Sequence, residues 1–175
     1  MARRDPDAFA EFVTARSATL FRTAYLMVGE HALAQDLLQE SLTKTYLAWP
    51  RLREVTNAEA YTRRVITTTA ISWRRRRSWQ EKPAETVPES AVHAAADGFA
   101  TRAWVWAALQ QLPPRQRAAV VLRYYEDLTE AQTAAVMGCA VGTVKSQVAQ
   151  GLKKLREQLG PDAAALALDE VVGTR

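Results

Sequence analysis

The sequence predicts an all-α fold with two small helical domains joined by a flexible linker. Apolar residues recur at helical spacing on both sides of residues 80–100, whereas that stretch holds two prolines, several small residues and four acids. No segment alternates between polar and apolar residues for long enough to predict a strand. The expected division is 1–79 as the first domain, 80–100 as the linker, 101–160 as the second domain and 161–175 as a tail.

Composition excludes several classes of protein. Apolar residues make up 48% of the chain, but no apolar run is long enough to cross a bilayer, so membrane insertion is not expected. The charged start at residues 1–7 does not resemble a secretory signal, which predicts a cytoplasmic protein. With one cysteine, Cys139, and two histidines, the chain is expected to have no internal disulfide, no metal site and no cofactor.

Positive charge is concentrated in two blocks. Residues 1–79 carry a net charge of +5 and residues 101–160 carry +4, while residues 80–100 carry −3. Two basic blocks separated by an acidic stretch suggest two domains that both bind a polyanion. Chance variation on a solvated surface is the alternative interpretation.

Three helices are predicted in the first domain. The first lies between Asp7, a candidate N-cap, and Gly29, a candidate stop. The second covers residues 32–49 and ends before a proline, and the third covers residues 58–77. The third prediction is weakened by a run of three threonines, because β-branched residues disfavour helix.

A helix-turn-helix is predicted in the second domain, after a helix over residues 101–112. Thr129 opens a short helix and is followed three residues later by Gln132, as in a capping box. Gly138 is placed to end that helix, and another helix over residues 141–159 follows at once.

The last of these helices is predicted to present one face to the core and the other to DNA. Six apolar residues at helical spacing predict the core face: Val141, Val144, Val148, Leu152, Leu155 and Leu159. The other side combines hydrogen-bonding and cationic side chains, which suits base edges in a major groove and the flanking phosphates. The candidate contacts are Thr143, Lys145, Ser146, Gln147, Gln150, Lys153 and Lys154. An ordinary solvated helix face is the alternative.

Arginine and tryptophan are mixed at the end of the third helix. Charge that follows phosphates and flat rings that stack on bases are the components of a single-strand nucleic-acid site. The residues concerned are Trp73, Arg74, Arg75, Arg76 and Arg77 at the helix end, with Arg63 and Arg64 about three turns earlier. A core tryptophan beside arginines that only confer solubility is the alternative.

A polar stripe marks the second helix, where Asp36, Gln39, Glu40 and Thr43 share one face. Spacing alone favours a solvent-facing surface. Because no ligand histidine or nucleophile accompanies the two acids, the stripe is not a catalytic site and the chain is not expected to be an enzyme.

These segments, in this order, resemble the sigma-70-type RNA polymerase sigma factors. The segment DLLQE (36–40) resembles their core-binding part, and residues 61–77 resemble their −10 promoter region. The runs LPPRQR (112–117), LRYYEDL (122–128) and VGTVKS (141–146) resemble their −35-binding domain. A chain with only these two domains is similar to the extracytoplasmic-function (ECF) group, and the arginine-rich stretch is similar to its actinobacterial SigE-like subgroup.

The resemblance implies a factor that binds RNA polymerase core and directs initiation by recognising −35 duplex and melted −10 DNA. It implies that the clamp helices of the polymerase β′ subunit are bound by Asp36, Leu37, Gln39 and Glu40. It implies that −10 DNA is contacted by the third helix, through Arg63, Arg64, Thr67, Thr68, Trp73, Arg74, Arg75, Arg76 and Arg77. An anti-sigma factor is a further implied partner.

The sequence departs from the family pattern at four positions. Thr68 and Ser72 stand where Asn and Asp are frequent, and a hydroxyl cannot make the two directional bonds of an amide, so an altered −10 preference is expected. Gln147 replaces a frequent Arg, which implies a shifted −35 preference, and Thr133 replaces an aliphatic residue, which implies looser packing.

Three other functions fit part of the sequence. A dimeric helix-turn-helix regulator would explain residues 128–159 but not the polar stripe or the arginines. A recombinase or transposase fragment would need an acidic metal cluster or an activated nucleophile. A sigma-like protein that does not initiate by itself would fit the departures at Thr68 and Ser72.

Overall fold

The structure is a computed structural model that describes residues 6–52, 55–80 and 99–160, with side chains described over 6–52, 57–73 and 105–160. Every element in these ranges is helical, which confirms the predicted all-α class. The helices are α1 (Pro6–Val28), α2 (His31–Ala48), α3 (Val55–Gln80), α4 (Phe99–Gln111), α5 (Pro114–Val120), α6 (Glu130–Met137) and α7 (Val141–Leu159). A 3₁₀ turn (Trp49–Arg51) follows α2, and a π-helical turn (Val121–Tyr125) follows α5.

Most of the predicted linker and the whole predicted tail lie outside the described residues. Helices α3 and α4 flank the linker, ending at Gln80 and beginning at Phe99. The domain boundaries therefore stay a prediction.

The helices α1, α2 and α3 pack together around a shared apolar core. Leu20, Leu37 and Ile66, one from each helix, are among the largest fully buried side chains. An aromatic cluster closes one end, where the ring centroids of Phe9 and Trp49 lie 5.1 Å apart. Asp7 lies in the first turn of α1, where its charge favours the helix N-terminus, rather than at the N-cap.

Helix α3 runs without a break through its three threonines. Thr67 and Thr68 each donate a hydroxyl hydrogen to the carbonyl one turn earlier, at 2.9 and 2.8 Å. Thr62 does the same at 2.7 Å and shares a 2.8 Å hydrogen bond with Thr45 of α2. These bonds satisfy the hydroxyls within the helix, so β-branching does not interrupt it.

The predicted helix-turn-helix is confirmed. Helix α6 has a complete capping box: the Thr129 hydroxyl accepts from the Gln132 main-chain N–H, and the Gln132 side chain accepts from the Thr129 N–H. The helix ends at Gly138, which is in the left-handed conformation.

Helix α7 presents most of its predicted apolar face to the core. Val144, Leu155 and Leu159 are buried as predicted. The assignment of Val141 to the core is wrong, because this first residue of α7 lies beside the exposed turn and is 40% exposed.

The two helical domains contact each other through Arg117, a fully buried arginine on α5. Its guanidinium donates to the carbonyls of Leu109 and Leu112, at 2.7 and 2.9 Å, and to that of Gln110, all at the end of α4. It also donates to the Met27 carbonyl at the end of α1, at 2.8 Å. A cation is favourable at a helix C-terminus, where the last carbonyls have no partner within the helix, and Arg117 occupies two such ends.

Gly29 lies at this contact between α1 and α4. Its φ of 77° lies in the left-handed region, and a Cβ built there would lie 2.2 Å from the side-chain carbon Cδ of Gln110. Gln110 in turn donates to the Leu26 carbonyl at 3.2 Å. Glycine is therefore favoured at position 29 by the left-handed backbone conformation, whereas the flexible Gln110 side chain could move away from a Cβ.

A second contact between the domains is centred on Glu126, just after the π-helical turn. Its carboxylate accepts from the Nε of Arg63 in α3 at 2.8 Å and from the hydroxyl of Thr23 in α1. The neighbouring Tyr125 is half-buried: burial raises the pKa of its phenol, and the nearby Arg22 opposes that shift. The phenol therefore stays neutral beside the Glu126 carboxylate.

Replacing Arg117 should destabilise the whole described fold. Arg117→Met would leave buried carbonyls at the ends of α1 and α4 without their donor, so the free energy of unfolding should fall by about 3 kcal/mol or more. Urea unfolding measures this change. Arg115→Met is the matched control, because Arg115 is an exposed arginine in the same helix and its loss should change stability by less than about 0.5 kcal/mol. Equal effects of the two substitutions would contradict the role given to Arg117.

Replacing Thr133 should stabilise the protein. Its hydroxyl is buried and has no hydrogen-bond partner in the described part of the chain. Thr133→Val keeps the shape and removes the unsatisfied group, so the free energy of unfolding should rise by about 1 kcal/mol or more. Thr129→Val, which removes the cap of α6, should lower it by about 1 kcal/mol. Thermal unfolding of both variants measures these opposite shifts, and a loss of stability in Thr133→Val would refute the first.

Candidate nucleic-acid and protein interfaces

The outer face of α7 collects the residues that the sequence assigned to duplex DNA. Ser146 and Gln150 are exposed, and the side chains of Lys145 and Lys153 are 63% and 78% exposed. Three further predicted residues on this helix are half-buried: Thr143, Gln147 and Lys154. The structure thus places all seven predicted contacts on one helix of the helix-turn-helix, at or near its surface.

Two acids lie beside this face without neutralising it. Lys145 lies 3.5 Å from Glu130, and Lys153 lies 3.9 Å from Glu157. Because all four side chains are well exposed, these ion pairs are weak and are screened by salt. Both lysines can therefore exchange their partner for a phosphate at little energetic cost.

Gln116, a residue that no sequence pattern singled out, supports this face from the interior. The buried Gln116 of α5 donates to the side-chain oxygen of Gln150 at 2.9 Å, and Gln150 donates to the Ser146 hydroxyl at 3.0 Å. The signal that could have located this contact is Gly151, an isolated glycine inside a helical pattern, which commonly marks a close approach between elements.

Helix α3 divides the predicted −10 residues between its surface and its interior. Arg64 and Thr68 are exposed. Thr67 is fully buried and bonded to its own helix, so its assignment as a DNA contact is corrected: it is a core residue. Arg63 is only 15% exposed and is ion-paired with Glu126 at 2.8 Å and with Glu59 at 3.0 Å.

The aromatic and arginine-rich end of α3 is described in part. Trp73 is half-buried and packs against the apolar core, so only part of its ring is accessible. The backbone of α3 is helical through Arg74, Arg75, Arg76 and Arg77, which places the four arginines around the last part of the helix. Their side chains lie outside the described residues.

An open groove runs between α1 and α2, with a volume of about 870 Å³. Its lining is mainly apolar and includes Phe9 and Phe21 of α1 and Leu38 and Leu42 of α2. The exposed Asp36 and Gln39 lie on the α2 side of the same groove. An apolar surface flanked by a carboxylate and an amide suits a protein helix that offers both aliphatic and cationic or hydrogen-bonding side chains.

Two residues that were predicted at this interface, Leu37 and Glu40, do not line the groove. Leu37 is 0% exposed and belongs to the core, so its assignment as a partner contact is corrected. Glu40 lies beside the groove lining and pairs with Lys44 one turn later, at 2.6 Å. Leu38 and Leu42 are the leucines of α2 that line the groove.

The described ranges contain neither a candidate metal site nor a candidate membrane-spanning helix. No group of three or more histidine, cysteine or acidic side chains within 6–52, 55–80 and 99–160 could hold a metal ion. No helix among the same residues has the length and hydropathy needed to span a bilayer.

Comparison with known proteins defines the class of this chain. Residues 12–80 match the family described as Sigma-70 region 2, and residues 102–155 match Sigma-70, region 4. The RNA polymerase sigma-E factor of Streptomyces coelicolor is 41% identical, over 93% of this chain and 93% of its own length. The ECF RNA polymerase sigma factor SigE of Mycolicibacterium smegmatis is 30% identical, over 90% of this chain and 63% of its own length.

The fold is similar to that of a solved structure. The sigma factor RpoE from Bartonella quintana, in complex with the anti-sigma factor NepR, superposes with a TM-score of 0.71 over 89% of this chain and 98% of the matched chain. The identity is 24%, so this likeness concerns the fold.

The chain belongs to the sigma-70-type RNA polymerase sigma factors, in the ECF group. Within that group its sequence is similar to the sigma-E factors of Streptomyces, of which the one from Streptomyces avermitilis is 39% identical over 97% of both chains. Its function is therefore that of a sigma factor, which directs RNA polymerase to promoters.

Proposed function

We propose that the outer face of α7 binds −35 duplex DNA in the major groove. The single observation that supports this most strongly is the exposed outer face of the second helix of a helix-turn-helix, which presents Ser146, Gln150 and Lys153, with the exposed Lys145 on its flank. Lys145, Lys153 and Lys154 would contact phosphates, which supply affinity, while Ser146 and Gln150 would face base edges, which supply specificity.

The groove between α1 and α2 would bind RNA polymerase core at the clamp helices of the β′ subunit. Asp36 and Gln39 would provide its directional contacts, and Leu38 and Leu42 its apolar surface. Glu40, held by Lys44, would lie at the rim of the interface, where an exposed charge affects the association rate more than the final affinity. This division replaces the set that included the buried Leu37.

The exposed side of α3 would contact melted −10 DNA, with Arg64 and Thr68 as described surface residues. Arg63 would join them only after its ion pair with Glu126 has opened, because its guanidinium is engaged with that carboxylate. Binding at −10 would then compete with one of the contacts that hold the two domains together. Trp73 would offer a partly accessible ring to an unstacked base.

The remaining partners and properties follow from this assignment. The chain would itself catalyse no reaction, since nucleotidyl transfer belongs to the polymerase. It would act in the cytoplasm, where the polymerase and the chromosome are found. An anti-sigma factor is proposed as a partner because the structurally similar RpoE was solved in complex with NepR.

Loss of the groove contacts should weaken binding to polymerase core. The double substitution Asp36→Ala with Gln39→Ala removes a charge and an amide from the groove, so the affinity for core should fall about tenfold or more. Titration of the labelled chain with purified core enzyme measures the affinity. The control is Glu11→Ala, which removes an exposed acid of α1 that does not line the groove. An unchanged affinity in the double variant would remove the groove as the polymerase site.

Loss of Lys145 should weaken duplex binding without changing base preference. A lysine that neutralises one phosphate contributes about one unit to the slope of log affinity against log salt. Lys145→Ala should reduce the slope by about that amount, whereas Lys44→Ala, an exposed lysine of α2, should not. Salt titration of a −35 duplex with the full chain measures both slopes. Equal slopes for Lys145→Ala and the unaltered protein would contradict the phosphate contact.

A further inference from the structure

A chain of hydrogen bonds connects the interior of the second domain with the outer face of α7. Gln116 of α5 is 7% exposed, and its Nε2 donates to Oε1 of Gln150 at 2.9 Å. The Nε2 of Gln150 then donates to Oγ of Ser146, one turn earlier on the same face, at 3.0 Å. A buried amide is therefore linked to the two side chains that are best placed to meet base edges.

The close packing of α5 and α7 brings these amides together. Gly151 follows Gln150 directly and is buried against α5. A Cβ at that position would lie 2.9 Å from Cγ2 of Val120 and 3.5 Å from the main-chain oxygen of Gln116. Only a residue without a side chain lets α7 approach α5 this closely, and the approach puts the two glutamines within hydrogen-bond distance.

The two possible directions of the Gln116–Gln150 bond differ in which polar atoms of the buried Gln116 amide are left without a partner. As the bond stands, the Oε1 of Gln116 is buried without a partner in the described residues. The reversed orientation, with both amides flipped, would instead leave both N–H groups of the Gln116 amide unpaired. Buried N–H groups without a partner are rarer than under-satisfied carbonyl oxygens, so the observed direction is favoured.

This direction determines what Gln150 can offer to DNA. Its oxygen is engaged by Gln116, and one of its two amide hydrogens is engaged by Ser146. One amide hydrogen remains for a partner outside the protein. A glutamine that reads adenine must turn both an acceptor and a donor toward the base, and the bond to Gln116 holds the Gln150 oxygen toward α5. Guanine presents two acceptors, N7 and O6, in the major groove, which the remaining amide hydrogen can contact.

We propose that Gln116 is a positioning residue for promoter recognition: it fixes the Gln150 amide as a hydrogen-bond donor, so that Gln150 prefers a base edge that carries acceptors, above all guanine, over adenine. The proposal rests on the proposed function, in which α7 reads the −35 duplex. It adds a buried residue, itself unable to touch DNA, to those that set base preference.

A purely structural role is the competing explanation, since the same bond also ties α5 to α7. The chain contains a second, more exposed inter-helix amide bond that has no link to the DNA-facing turns. Near the end of α7, Gln158 donates to Gln111 of α4 at 3.1 Å, again between two amides of different helices. Gln111→Leu therefore serves as a control for the loss of an inter-helix amide bond alone.

The test is selection of −35 duplexes from a library randomised over the site, with the full chain as the binding protein. Gln116→Leu should lower the preference for guanine at one position by about tenfold and leave the other positions unchanged. Gln116→Glu, whose carboxyl group can accept from Gln150, should turn the Gln150 oxygen outward and shift that position toward adenine or cytosine, which carry an amino donor. In a Gln150→Ala background, Gln116→Leu should have no further effect on that position.

Each other outcome overturns the inference. If Gln116→Leu keeps the base preference of the unaltered protein, or weakens all duplexes uniformly, Gln116 is only a packing residue and the −35 assignment of α7 survives. If the unaltered chain selects no sequence, the proposed reading by α7 fails, and the positioning role fails with it. Thermal unfolding of each variant ensures that a folded protein is compared throughout.

Discussion

The buried guanidinium of Arg117 is the interaction on which the described arrangement depends. It is held by main-chain carbonyls at the ends of α1 and α4, so one side chain on α5 fixes the relative position of three helices. These carbonyls are groups that a helix end leaves without internal partners, which is why a single cation can satisfy several of them. The Gln110 side chain of α4 lies directly against Gly29 and donates to the Leu26 carbonyl of α1.

The position of α5 then determines the position of the DNA-facing helix. Gly151 sets how closely α7 approaches α5, and the buried Val144 and Leu155 set which side of α7 faces inward. The polar face is thereby directed outward as a consequence of core packing. On the other side of the contact, Glu126 engages Arg63 of α3, so an ion pair joins α3 to the segment that precedes the helix-turn-helix.

The sequence was sufficient for features that depend on local chemistry. The capping box of Thr129 and Gln132, the stop at Gly138 and half of the α7 stripe are encoded within a few turns and are confirmed. Asp7 is not an N-cap, Val148 and Leu152 are only partly buried, and Val141 is exposed. Burial on the polar faces was less predictable. Leu37 and Thr67 lie next to exposed residues on their helices, and only the position of the packed neighbours shows that both are buried.

Contacts between distant segments could not be read from the sequence. Arg117 resembles the exposed Arg115 beside it, and nothing local shows that it reaches the end of α1. The same holds for Gln116, whose partner Gln150 is 34 residues away. Family resemblance indicated which helices carry the polymerase and promoter contacts, whereas the structure was needed to separate surface from core among the individual residues.

Transcription from a genomic promoter library, reconstituted with purified core polymerase and this chain, shows whether the chain directs initiation. Transcripts should start at a defined set of promoters and should require both the core enzyme and the chain. If the chain bound core polymerase but the mixture gave no promoter-dependent transcripts, it would be a sigma-like protein that does not initiate transcription, and its function as a sigma factor would be refuted.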